Sequence, residues 1–222
     1  MKVFILLAHP ENKSFNGALF DTSIRKFNQI GATVYQTDLY RSNFNPLSDR
    51  NNFSTCLNPD YLKLQLEEMH ASCHNGFMED IEKEMFKIEN CDLMIWQFPL
   101  WWFSVPSILK GWIDRVFAMG RIYDHEHVFQ SGKLRGKKAM LSLTVGGNEE
   151  MYFKNGFLGD MDAILRPIHR GILEFVGFDI LKPHITYAPV RMKHSERKDV
   201  LTQYTERLAN IECESVIDVG CF

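Results

Sequence analysis

Short, continuous apolar runs alternate along the chain with longer segments in which apolar residues recur every three or four positions. The first run, Val3–Ala8, is apolar throughout, as a strand buried on both faces would be. Ser14 to about Ile30 then shows helical spacing through Phe15, Leu19, Ile24 and Phe27, with Ser14 as N-cap. Gly31 closes that helix, and Ala32–Asp38 reads as a second strand. Residues 41–58 are polar and turn-rich, whereas 60–90 are charged and helical, in two pieces that part near Gly76. Asp92–Gln97 is the expected third strand, Pro106–Phe117 a helix opened by a proline, and Lys137–Thr144 the fourth strand. Met161–Val176 has helical spacing, with Pro167 kinking it or starting a second piece. Phe178–Tyr187 holds a fifth strand and Ser195–Ile211 the last helix.

Strands that alternate with helices imply an α/β doubly wound parallel sheet with helices on both faces. Five strands fit the flavodoxin-like order 2-1-3-4-5. In such sheets ligands bind beyond the carboxyl ends of the strands, where the strand order reverses. That rule selects the loops after strands one, three and four: residues 9–16, 98–106 and 145–152.

Composition narrows the picture. The 222 residues contain no Gly/Ser spacer, charge block or low-complexity tract, so a single domain over 1–222 is expected. A net charge of −3 without a basic stripe argues against nucleic acid. Five scattered cysteines with no CxxC pair suggest neither a metal site nor a disulfide framework, and read as reduced thiols in the cytoplasm. The opening "MKVFILLA" is too short for a secretory segment, and no stretch is long enough for a transmembrane helix.

The first loop, "AHPENKSFNGA", lacks both the GxGxxG of a Rossmann site and the GK[ST] of a P-loop. It remains a polar turn entering a helix, which suits a phosphate or pyrophosphate or is an ordinary capped start. The second, "FPLWWFSVP", carries four aromatics in a run of six, with a proline within the run and another closing the stretch. A flat ring such as an isoalloxazine needs a rigid wall and backbone donors, and an aromatic turn supplies both, one tryptophan facing the flavin and the other the core. The third, "TVGGNEEMY", has a double glycine that lets backbone approach a ligand or simply turns a corner, and Tyr152 follows it.

Over nearly its whole length the chain resembles the FAD-dependent NAD(P)H:quinone oxidoreductases of the DT-diaphorase type and their bacterial relatives. "AHPENKSFNGAL", "QFPLWWFSVPSILKGWIDRVF", "LTVGGNEEMY" and "GDMDAILRPIHRGILEFVGF" carry the resemblance. It implies a flavodoxin-like homodimer with a flavin site at the interface, FAD (or FMN) as cofactor, and NAD(P)H as co-substrate. Hydride would pass through the flavin to a quinone or another small aromatic acceptor by a ping-pong mechanism. His9, Ser14, Phe15 and Asn16 match the diphosphate and ribityl region. Pro99, Leu100, Trp101, Trp102 and Phe103 match the flavin-flanking turn. Thr144, Val145, Gly146 and Gly147 match the loop over the polar edge of the ring, and Tyr152 the catalytic tyrosine beside it. Arg197 falls on a basic position near the adenylate half of FAD. Tyr123 matches a tyrosine that lines the partner's substrate pocket, with His125 close by. One departure stands out: Leu158 occupies the place of a histidine that pairs with the tyrosine in many animal members. Leucine neither donates, accepts nor carries charge, so a two-residue relay does not transfer.

Two rivals share the fold. A flavodoxin-like electron carrier is typically shorter and more acidic, and a flavoprotein regulatory subunit of a potassium-efflux system would have partner binding as its function. The last residues, 212–222, lack periodicity and read as a flexible tail or a segment packed on the dimer partner.

Overall fold

The computed structural model of the protein describes residues 1–221. Its strands are β1 (Lys2–Leu7), β2 (Thr33–Asp38), β3 (Leu93–Pro99), β4 (Lys138–Val145), β5 (Asp179–Ile180) and β6 (His184–Tyr187). Its helices are α1 (Phe15–Gln29), α2 (Leu64–His74), α3 (Glu79–Asn90), α4 (Ser107–Val116), α5 (Met161–Ile168) and α6 (His194–Ala209). The strands form one parallel sheet in the order β2-β1-β3-β4-β5, with β6 also pairing β4. The switch point therefore lies between β1 and β3, as the alternating pattern predicts.

The two-residue period of β1 divides the core. Val3, Ile5 and Leu7 point to the face covered by Leu19, Phe27, Tyr204 and Leu208 of α1 and α6. Phe4 and Leu6 point to the opposite face, against Ile81, Met85, Leu109 and Trp112 of α3 and α4. Both α1 and α6 start at the carboxyl edge of the sheet and run side by side, joined by a Ser23–Tyr204 hydroxyl bond of 3.0 Å. On the β2 edge, Lys87 Nζ donates to the Gln36 carbonyl, to Thr37 Oγ1 and to the buried Glu84 carboxylate.

Two expectations are refined. The fifth strand is split: Ala139 pairs with Ile180, but Ser142 pairs with His184. One extra residue thus sits opposite β4 between the two pieces, and Pro183, which has no N–H to give a ladder, falls in that bulge. The segment around Pro167 does divide into two pieces, but the second is not α-helical. Pro167 lies one residue before the end of α5, and the chain continues as a π-helical turn over His169–Glu174. The missing proline N–H releases one carbonyl of the ladder, and the wider turn follows.

After α6 the chain returns along the outer edge of the sheet. Ile217 N–H donates to the Ile180 carbonyl at 2.8 Å, Leu181 bridges to Val216, and Arg166 Nε donates to the Val219 carbonyl at 3.1 Å. The final residue of the 212–222 segment lies outside the described residues. Among the described residues no helix is long and apolar enough to cross a membrane.

Candidate functional site

The three loops selected from the sequence meet at the carboxyl edge of β1, β3 and β4. Ser14 caps α1, its Oγ accepting the Gly17 N–H at 3.1 Å. A Cβ on Gly17 would come within 2.1 Å of the Asn12 carbonyl oxygen, so the loop can fold tightly over the helix start only because position 17 lacks a side chain. The amides of Phe15 and Asn16 open the helix, and its positive dipole end faces the edge. The Asn16 side chain is buried in a chain of hydrogen bonds: Gln97 Nε2 donates to Asn16 Oδ1 at 2.7 Å, and Asn16 Nδ2 donates to Thr144 Oγ1 at 2.8 Å. These bonds tie α1, β3 and β4 together beneath the loops. His9 lies beside the turn, its ring centroid 6.4 Å from that of Trp101, and burial holds its pKa below the ordinary histidine value.

The aromatic turn is a two-residue hairpin. Trp101 and Ser104 exchange both backbone hydrogen bonds at 3.0 Å, and between them Trp102 and Phe103 have φ of 53° and 57°. This is the geometry normally filled by Asn-Gly, and here two bulky L-residues hold it. Such conformations cost on the order of 1–3 kcal/mol each, and they concentrate at functional sites. The expectation that one tryptophan faces the core is overturned. Trp101 is 42 % exposed and Trp102 96 %, because the left-handed turn lifts both off the sheet. Pro99 is buried at the end of β3, and Leu100 N–H donates to the Thr144 carbonyl at 2.9 Å, which fixes the root of the turn.

In the third loop Thr144 and Val145 are buried at the end of β4. A Cβ on Gly146 would meet nothing within 4 Å, whereas one on Gly147 would meet Tyr152 Cε2 at 3.0 Å and Leu158 Cδ1 at 3.1 Å. Gly146 thus borders open space, and Gly147 lies under a lid made of Tyr152 and Leu158. Tyr152 is buried, its ring 5.9 Å from that of Tyr187, and among the described residues its hydroxyl has no hydrogen-bond partner.

The remaining candidates lie elsewhere. Tyr123 packs edge-on against Phe175 and receives a hydrogen bond from Gln65 Nε2 at 3.3 Å. It borders a different cavity from Tyr152, so one chain alone does not bring Tyr123 to the switch point. His125 is exposed on the following loop. Arg197 stands half-buried in the first turn of α6, at the same end of the sheet as the start of α1. Two further groups of this edge carry little sequence signal. Gln97 is fully buried, with its Oε1 left without a protein partner; its only advertisement is a polar residue at the end of an apolar strand. Tyr187 becomes visible only once β6 is placed beside β4.

A flat, polar-edged cofactor fits this edge. The aromatic turn offers exposed ring faces, Gly146 opens onto free space, the α1 amides suit a diphosphate, and the Tyr152 hydroxyl is available. A parallel sheet of this order with its unsatisfied groups at the switch point defines a flavodoxin-like protein. A family model described as flavodoxin-like fold matches residues 1–211, and the chain belongs to that family, among relatives named for quinone reduction. It is 42% identical over 217 residues to ribosyldihydronicotinamide dehydrogenase (quinone) of Mus musculus, covering 97% of this chain and 94% of that one. It is 39% identical over 211 residues to NAD(P)H dehydrogenase (quinone) 1 of Cavia porcellus, covering 95% and 77%. The crystal structure of a provisionally assigned quinone reductase from Klebsiella pneumoniae superposes with a TM-score of 0.91 at 35% identity, covering 98% of this chain and 87% of that one.

Proposed function

We propose that the protein is a flavin-dependent NAD(P)H:quinone oxidoreductase that binds FAD and works as a homodimer in the reducing cytoplasm. One observation carries this reading: an exposed aromatic hairpin, held in a strained conformation, faces an open glycine loop and a helix start at the switch point. The names of the relatives above support the reaction class.

Bound flavin would supply a reversible hydride acceptor between NAD(P)H and a quinone or similarly flat electrophile. The protein's residues do the rest. The α1 amides and His9 receive the diphosphate, and Arg197 approaches the adenylate end. The Trp102–Phe103 tip stacks flat molecules while the Trp101–Ser104 pairing holds its backbone still. The Tyr152 hydroxyl donates a hydrogen bond to negative charge that develops at the polar edge of the ring. Tyr123 and His125 complete the acceptor slot of a second copy, which explains why Tyr123 lies away from Tyr152 in one chain.

The deciding experiment is to purify the protein, release its flavin by denaturation and identify it by mass, then vary NAD(P)H and quinone together. FAD in the supernatant and parallel double-reciprocal lines are expected. A colourless protein that takes up no flavin would refute the reading, and intersecting lines would refute the shared slot.

A further inference from the structure

Three carboxylates are buried among the described residues, those of Glu67, Glu68 and Glu84. Glu67 has Arg50 beside it at 3.8 Å, and Glu84 has Lys87 at 2.5 Å. Glu68 is only 6 % exposed, yet among the described residues no cation comes within ion-pair distance of it. A buried carboxylate without a cation carries a desolvation cost that no attraction offsets.

One of its oxygens has a structural task. Glu68 Oε2 accepts the Met119 N–H at 2.7 Å, and Ser72 of the same helix donates to the Met119 carbonyl at 3.2 Å, so α2 holds the turn that leads to Tyr123. A neutral amide oxygen would serve that task equally well, without a charge to desolvate. The second oxygen, Oε1, accepts no hydrogen bond among the described residues, and it is not sealed from solvent.

There is room for a partner. Glu68 borders a cavity of about 570 Å³ where α2, α4 and the π-helical turn meet, the same cavity that Tyr123 borders. Burial raises the Tyr123 pKa and the Glu68 charge adds to it, which places the two within electrostatic reach of each other. The other polar groups of the cavity offer Glu68 no countercharge. Lys110 is paired with Asp114 at 2.5 Å, and Ser48, Gln65 and Tyr123 are neutral. One negative charge is therefore left uncompensated. Phe117 and Phe175 also line the cavity, and Phe175 meets Tyr123 edge to face with ring centroids 5.5 Å apart. A carboxylate beside several aromatic rings is the chemistry that receives an ammonium group, by its charge and by cation–π attraction.

We propose that this cavity is an ammonium subsite with Glu68 as counter-ion, through which the protein selects flat acceptors that carry a cationic ammonium side arm. The selection rests on the reading above, in which Tyr123 completes the acceptor slot of a second copy: the ring of the acceptor lies in that slot, and its side arm passes Tyr123 to reach Glu68. No bond is made or broken in the subsite, which acts on binding alone.

The test compares benzylamine, protonated at neutral pH, with benzyl alcohol, its neutral counterpart, by ligand-detected NMR titration of the full-length protein. Wild-type protein is expected to bind benzylamine about tenfold more tightly, and Glu68→Gln, which keeps an oxygen for the Met119 N–H, to bind the two alike. In turnover, a quinone whose side chain ends in trimethylammonium should have a KM about tenfold below that of its hydroxyl-ended counterpart at similar kcat, a gap that closes in Glu68→Gln. Equal binding of the two probes by wild-type protein would overturn the proposal whether or not the variant folds. A Glu68→Gln protein that keeps the preference would do the same. A variant that turns monomeric while binding both probes as wild type does would assign the missing cation to the second copy, and would also overturn it. The functional reading fails separately: a protein without flavin that still prefers benzylamine through Glu68 keeps the subsite and loses the acceptor, whereas a flavin-loaded reductase indifferent to the ammonium keeps the reading and loses the subsite.

Discussion

Asn16 and Thr144 stand 128 positions apart in the chain, and a buried 2.8 Å hydrogen bond from Nδ2 to Oγ1 joins them. Gln97 closes the chain of bonds on the other side of the same amide. The start of α1, the end of β3 and the end of β4 are thereby locked in one arrangement before any ligand arrives.

Asn16→Ala strands a buried hydroxyl and a buried amide. A loss of about 1–3 kcal/mol in unfolding free energy is expected, with weaker flavin retention. Urea denaturation and flavin dissociation measure the two, and wild-type values for both would contradict the role of the bond.

Replacing Trp102-Phe103 by Asn-Gly should raise stability by roughly 1–3 kcal/mol, because the left-handed conformation suits the new pair and Trp102 buries nothing. Quinone KM should rise in the same variant. A destabilised hairpin in urea denaturation would show that the two aromatics are not strained.

The adjacent glycines should respond differently to alanine. Gly146→Ala leaves Tm unchanged and lowers flavin content, since its methyl group enters open space. Gly147→Ala presses on Tyr152 and Leu158 and should cost about 1–3 kcal/mol. Thermal melts beside the flavin-to-protein absorbance ratio separate the two outcomes.

His169 and His184 are both pushed down to about 4 by burial, from 6.5 in the unfolded chain. The folded state therefore keeps them neutral where the unfolded state is protonated. Their contribution is intact above pH 6.5 and is lost as pH falls from 6.5 toward 4, at about 2–3 kcal/mol each by pH 4.5. His169→Gln with His184→Gln should flatten unfolding free energy over that window. An unchanged slope would show that acid destabilisation comes from elsewhere.

The strand–helix alternation was enough to place the sheet order, the capped start of α1 and the three loops. Periodicity reports burial, and burial is what organises a doubly wound sheet. It was silent on the aromatic hairpin, since left-handed φ at Trp102 and Phe103 has no local signal when neither residue is glycine or asparagine. The split of the fifth strand was half legible in Pro183, but its one-residue bulge depends on register against β4. Gln97 escaped notice because it sits in an apolar run, where a lone polar side chain reads as packing.

The strap formed by residues 216–220 has a further consequence, for how copies of this chain can meet. By giving Ile217 N–H to Ile180 and pairing Val216 with Leu181, it occupies the outer edge of the sheet beside β5. The opposite edge at β2 carries the Lys87 ammonium on its Gln36 carbonyl. Neither rim invites another strand, the usual route by which parallel sheets fuse or aggregate. Association is left to helices and loops, and a chain cut before Val216 would gain one sticky rim and lose part of the wall of the cavity beside Tyr152.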